Sequence, residues 1–155
     1  MQKEMNYKYY YLLLIMVAAY FVLMYFLMYA MVNSFNNIVH NYNQIFMAVL
    51  MASPMVVIEL TFMGIMYQKK KLNFVMIGVS VVIFFLSFVF IRQQTAISDK
   101  QLLRSMIPHD AAAILMCEKA SIEDPELAQM VESMIQDYQS EIDQMKMMLA
   151  EMEKQ

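Results

Sequence analysis

The residues best equipped for chemistry lie in the last third of the chain, where Met106, His109 and Met116 are followed by Met134, Glu141 and Met145. Thioether and imidazole are soft-to-borderline donors that suit Cu(I), and they remain donors at mildly acidic pH. Twenty methionines in 155 residues make the thioether the dominant anomaly of this sequence. On a helix turning about 100° per residue, Leu127, Met130, Met134, Glu141, Met145, Met148 and Met152 share a stripe roughly 60° wide. A glutamate in the middle of a methionine seam is not what a plain apolar core uses. Upstream, Leu102, His109, Ala113, Met116 and Ala120 share a face, with Met106 one turn before the histidine. The spacing therefore predicts two helices that each turn thioethers and one polar donor toward the other.

A plainer reading competes. Methionine is flexible and fills gaps in helical cores, so single methionines read as packing; the set around His109 reads as metal-binding. His109 could also donate an N–H to Glu141 with no ion involved, and a carboxylate behind a metal-bound histidine is itself common. Asp110 reads as a solvated charge and His40 as a solvated loop residue. Cys117 is the only cysteine, so no intramolecular disulfide can form. It points about 80° away from His109 and is left out of the donor set.

These donors need elements to position them, and composition supplies those. Up to Ile97 the only carboxylates are Glu4 and Glu59; from Ser98 onward acids outnumber Lys and Arg twelve to five. Tyr9–Val32 is apolar without a charge, Ile45–Tyr67 is interrupted only by Pro54 and Glu59, and Phe74–Ile91 is rich in Val, Ile and Phe. At about 1.5 Å per residue each run can cross a hydrocarbon layer of about 30 Å. Residues 1–97 thus read as a three-helix membrane anchor, with spans at 9–32, 45–67 and 74–91. Residues 98–155 read as a separate acidic domain. Lys3 and Lys8 precede the first span and Lys69–Lys71 lies between the second and third, whereas 33–44 holds no Lys or Arg. Positive charge stays cytoplasmic, so the N-terminus is expected inside and the acidic tail outside.

Ser98-Asp99-Lys100-Gln101 fits a capping box that opens a helix to about Ala120. That helix can continue the third span, and Pro108 predicts a kink or local opening within it. Asp124-Pro125-Glu126 opens a second helix reaching about Glu153. Together they predict an antiparallel hairpin, too small to be stable by itself. Two copies forming a four-helix bundle would cover it, so a homodimer or higher oligomer is expected.

Arg104-Ser105-Met106-Ile107-Pro108-His109-Asp110, then Ala113, Met116, Asp124-Pro125-Glu126 and Gln139-Ser140-Glu141-Ile142-Asp143-Gln144-Met145 carry a resemblance. The tail is similar to a bacterial family, the domain of unknown function numbered three hundred and five, with M-x-P-H-H and Q-x-E-I-x-x-M motifs. The resemblance implies a ferritin-like half bundle and copper binding outside the cytoplasm, on Met106, His109, Met116, Glu141 and Met145. One departure is that the family's second histidine is Asp110 here.

The expectation is an all-α protein of the bacterial inner membrane with an extracytoplasmic hairpin that captures Cu(I), or Ag(I), for tolerance, homeostasis or delivery. The alternative is an interaction module that oligomerises or docks on another membrane protein. Transport through the spans, the third possibility, would need Glu59 and an oligomeric pore, since three helices cannot enclose one. The spacing Met24–Met28 resembles copper-uptake channels, but methionines in the spans read as apolar packing. No phosphate-binding glycine loop, zinc-protease motif or paired E-x-x-H is present, which argues against an enzyme. The acidic tail argues against a nucleic-acid partner.

Overall fold

The long apolar runs form three helices, and the acidic tail forms two more. The structure, a computed structural model, describes residues 2–154, with side chains from residue 7 onward. Lys3 and Glu4 therefore lie outside the described side chains. The helices are α1 (Gln2–Leu27), α2 (Tyr42–Phe62), α3 (Lys70–Gln93), α4 (Asp99–Lys119) and α5 (Pro125–Glu153), with a short 3-10 turn at Phe35–Asn37. No strand is present among the described residues. By length and composition α1 from Tyr7, α2 and α3 are each able to cross a membrane.

The chain divides into two units. The first comprises the residues up to Leu27 together with Asn43–Thr95, which is α1, α2 and α3. Its buried centre is Tyr10, Leu13, Leu60 and Tyr67, flanked by Val17, Val56, Leu72 and Met76. Pro54 lies inside α2 and cannot donate to the Leu50 carbonyl one turn earlier. The Ser53 hydroxyl donates to that carbonyl instead, at 3.2 Å. Ser80 of α3 donates to the Ser53 carbonyl, so a hydroxyl on a neighbouring helix also serves the backbone beside the proline. In an apolar surrounding this is what lets a helix keep a proline.

The second unit comprises 28–42 and 96–155. Ile107, Ala111 and Ile114 of α4 pack with Ile142 and Leu149 of α5. Leu103, Ile135, Tyr138 and Met145 surround them, as do Val32 and Val39 from the connection between α1 and α2. Arg104, near the start of α4, pairs with Glu153 at the end of α5 at 2.6 Å. The Asp124 carboxylate caps α5 by accepting from the Leu127 N–H at 2.8 Å, as the sequence predicts.

Four expectations change. The first helix stops at Leu27 instead of Val32, because the residues beyond it serve the second unit. Tyr29 is buried there and donates its hydroxyl to the Val39 carbonyl at 3.0 Å, while Val32 joins the α4–α5 core. The second helix likewise ends at Phe62, short of Tyr67, whose ring turns back to meet Tyr10 edge-on. The third span does not run on into α4. Gln94 and Ala96 adopt left-handed backbone with φ of 50° and 64°, at a cost of about 1–2 kcal/mol each. Bonds from the Thr95 N–H to the Phe90 carbonyl and from the Gln94 amide to the Ile91 carbonyl hold the break. The capping box at Ser98 does not close either, since the Ser98 side chain makes no cap bond. The Gln101 carboxamide accepts the Tyr42 N–H at 2.9 Å, and so caps α2. Pro108 is buried within α4, and the helix runs through it.

Candidate functional site on the outer face of α4

The expected donors do not meet in the seam between α4 and α5. Ile135, Ile142 and Leu149 recur every seven residues and hold the seam on α5. The methionine stripe lies about 60–120° around the helix from Ile142. Glu141 and Met148 are exposed, Met130 is 55% exposed, and Met134 is half-buried. Only Met145, at the edge of that stripe, packs against the apolar core. Branched aliphatic side chains bury more shape-defined apolar surface than thioethers, so the isoleucines take the centre and the methionines its flank.

On α4 the rotation is larger. Relative to Ile107, the stripe of Met106, His109 and Met116 is turned away by about 100–180°. The His109 side chain is 73% exposed and Met116 is 52% exposed, with Met106 at 36%. The thioethers of Met106 and Met116 therefore do not fill the core between α4 and α5. His109 does not reach across to Glu141; its partner is its own neighbour. Nδ1 of His109 lies 3.2 Å from Asp110 Oδ1, a contact in which an ionised carboxylate can only accept and so calls for a proton on Nδ1.

Asp110 corrects the reading as a solvated charge, since it is only 2% exposed. Its Oδ2 is buried with no hydrogen-bond partner. The signal was present in the sequence. Asp110 lies three residues after Ile107 and four before Ile114, on the inward face of α4, where a carboxylate needs a structural reason.

The connection 28–42 is the other feature that sequence reading missed. The Asn33 N–H donates to the Ala111 carbonyl at 3.3 Å. Asn37 is buried, donates to Asn33 and accepts from the Lys146 ammonium of α5. His40 is exposed, as expected, with its ring edge-on to Tyr29.

Among the described residues no cluster of three His, Cys, Asp or Glu side chains is placed to hold an ion. In the apolar unit, Glu59 accepts from the Tyr67 hydroxyl at 3.1 Å, which accounts for that carboxylate by a hydrogen bond to tyrosine.

With this geometry in view, comparison with known families locates one match. Residues 91–149 match the family described as Domain of unknown function (DUF305). The matched stretch spans the end of α3, all of α4 and most of α5, less than half of the chain, and agrees with the resemblance carried by the motifs around His109 and Glu141. It contains every residue of the outer face of α4 as well as the Ile142–Leu149 side of the seam. The DUF305 match does not extend to the first two apolar helices. No curated protein and no solved structure matches the chain.

Proposed function

We propose that the chain is a membrane-anchored binder of a soft monovalent cation, Cu(I) or Ag(I), held outside the cytoplasm for tolerance, homeostasis or delivery. One observation carries the reading: the imidazole of His109 and the thioethers of Met106 and Met116 stand exposed on one face of α4, away from the seam. The donor chemistry fits such an ion, because two sulfurs and a neutral nitrogen make a soft set without a fixed geometry. The surrounding acidic tail, with twelve acids against five bases, favours cation approach. The DUF305 match over residues 91–149 covers this face, and the link to ferritin-like bundles and copper is what the motif resemblance implies.

One α4 offers few donors to one ion. Met106 and His109 are three residues apart and share a face, whereas Met116 stands about 10 Å further along the axis than His109. A second copy, packed against the exposed stripe to make a four-helix bundle, supplies the remaining thioethers, with Met134 and the carboxylate of Glu141 available on the flank of each α5. Met145 contributes through the core in this arrangement. The membrane reading is supported by the large apolar side chains bare on the outer faces of α1–α3, among them Leu14, Phe62, Phe74, Val75 and Phe85. The external placement of the α4–α5 hairpin is supported by the Lys-free connection 28–42, which belongs to the same unit.

A second reading draws on the same exposed face. Leu102, Met116, Leu127, Met130 and Met148 are apolar and accessible, so the hairpin could serve only to dock on another membrane protein. The deciding experiment is a Cu(I) titration of the full-length protein in nanodiscs against a colorimetric Cu(I) chelator, beside a Met106→Ala/His109→Ala variant. Competition by the wild type that the variant loses supports the metal reading. Failure of the wild type to compete sinks it and leaves the docking module.

A further inference from the structure

The buried carboxylate next to His109 gives the candidate site a feature that the donor pattern alone does not predict. Consecutive residues on a helix point about 100° apart. Here Asp110 turns inward to 2% exposure while His109 turns outward with 73% of its side chain accessible, yet the two groups meet at 3.2 Å. The contact is made by Nδ1, the ring nitrogen nearer the backbone. Oδ2 of Asp110 has no partner, and His109 is the one side-chain partner of Asp110 among the described residues. A buried carboxylate that loses its last hydrogen bond is left with its full desolvation penalty, so the bond to His109 is strongly favoured.

We infer that Asp110 is a positioning residue that holds His109 as the Nδ1–H tautomer and presents Nε2, with its lone pair, to a soft cation on the outer face of α4. The inference rests on the metal reading above and deepens it by naming the ligating atom. The proton on Nδ1 is kept from solvent exchange of roles by Oδ1, so Nε2 is the one ring nitrogen with a free pair. A carboxylate behind a metal-bound imidazole fixes its orientation and raises its basicity, and losing such a partner weakens metal affinity about ten- to a hundredfold. Asp110 therefore serves the site without touching the ion.

The test is the tautomeric state of His109 in the metal-free, full-length protein in nanodiscs, read from the 15N shifts of a histidine-labelled sample. His40 is assigned by its own substitution, His40→Gln. A solvated histidine carries its proton preferentially on Nε2, so a majority of Nδ1–H is the expected result. Asp110→Val, which removes the acceptor, should lose that majority, and Asp110→Asn, whose carboxamide can donate to Nδ1 as well as accept from it, should weaken it. Adding Ag(I) should shift Nε2 and leave Nδ1 protonated, with affinity falling at least about tenfold in Asp110→Val. A majority of Nε2–H in the wild type overturns the inference whether or not the variants fold. So does Ag(I) ligation at Nδ1, or an unchanged tautomer ratio in a folded Asp110→Val. The expected tautomer with no response of either nitrogen to Ag(I) overturns the metal reading separately, leaving the Asp110–His109 bond as an architectural contact.

Discussion

The Lys146 ammonium on α5 donates a hydrogen bond to the carboxamide oxygen of Asn37, 109 residues earlier in the chain, and Asn37 is 4% exposed. This pair fastens the connection 28–42 to the two helices of the tail. Lys146→Met keeps the aliphatic stem and removes the donor. It should destabilise the docked connection by about 1–3 kcal/mol, because a buried acceptor loses a charged partner. Hydrogen exchange should report faster exchange at the Asn33 and Asn37 amides, with the amides at the centre of α4 and α5 little affected.

The seam between α4 and α5 is held by isoleucine and leucine, and this has a direct mutational signature. Ile142→Ala removes a side chain with 0% exposure and should cost about 2–5 kcal/mol. Met148→Ala, on the exposed flank, should stay within about 0.5 kcal/mol in the monomer. Thermal unfolding of the tail, followed by circular dichroism, separates the two. A larger loss for Met148 than for Ile142 would restore the methionine seam expected from the sequence.

Proline inside α2 gives a coupled pair. Ser53→Ala leaves the Leu50 carbonyl without the hydroxyl that replaces the missing Pro54 N–H, at a cost of about 1 kcal/mol. In Pro54→Ala the backbone amide serves that carbonyl, so the same Ser53→Ala change should cost less. A double-mutant cycle by detergent unfolding should show this positive coupling. Additive effects would mean that the serine hydroxyl acts chiefly elsewhere.

Glu59 offers a test of transport against architecture. Glu59→Gln retains an oxygen that can accept from Tyr67, so folding and membrane yield should stay near wild type. Growth of cells carrying this variant under copper stress should also match the wild type. A sensitivity specific to Glu59→Gln, with normal protein levels, would reopen a role for the carboxylate in ion movement.

The sequence made the helices legible because apolar runs of spanning length and the Asp124-Pro125 start have few alternative structures. The register between α4 and α5 was harder. Five methionines and one leucine line up with Glu141, and counting apolar residues alone favours that stripe over the shorter series Ile135, Ile142 and Leu149. The inward placement of Asp110 was visible in its spacing between Ile107 and Ile114, but a carboxylate is expected to seek water. The docking of 28–42 was not legible, because its Asn-rich composition suits any solvated loop. The partners Ala111, Gln101 and Lys146 are too distant in sequence for local pattern to reveal.

The Tyr42 N–H at the head of α2 is satisfied by Gln101, 59 residues downstream. The order in which the ribosome delivers the chain thus differs from the order in which it can be completed. By the time α2 is synthesised, neither Gln101 nor Ala111 nor Lys146 exists, and the stretch before it has only its internal bonds, such as those from Tyr29 to Val39 and from Asn37 to Asn33. The Asn33 N–H, the Asn37 carboxamide oxygen and the Tyr42 N–H must wait, served by water, until α4 and the final helix have emerged. Nascent chains stopped before Lys146 should therefore expose this stretch to proteases that spare it in the finished protein. Completion of the last helix then becomes the event that closes the earliest loop.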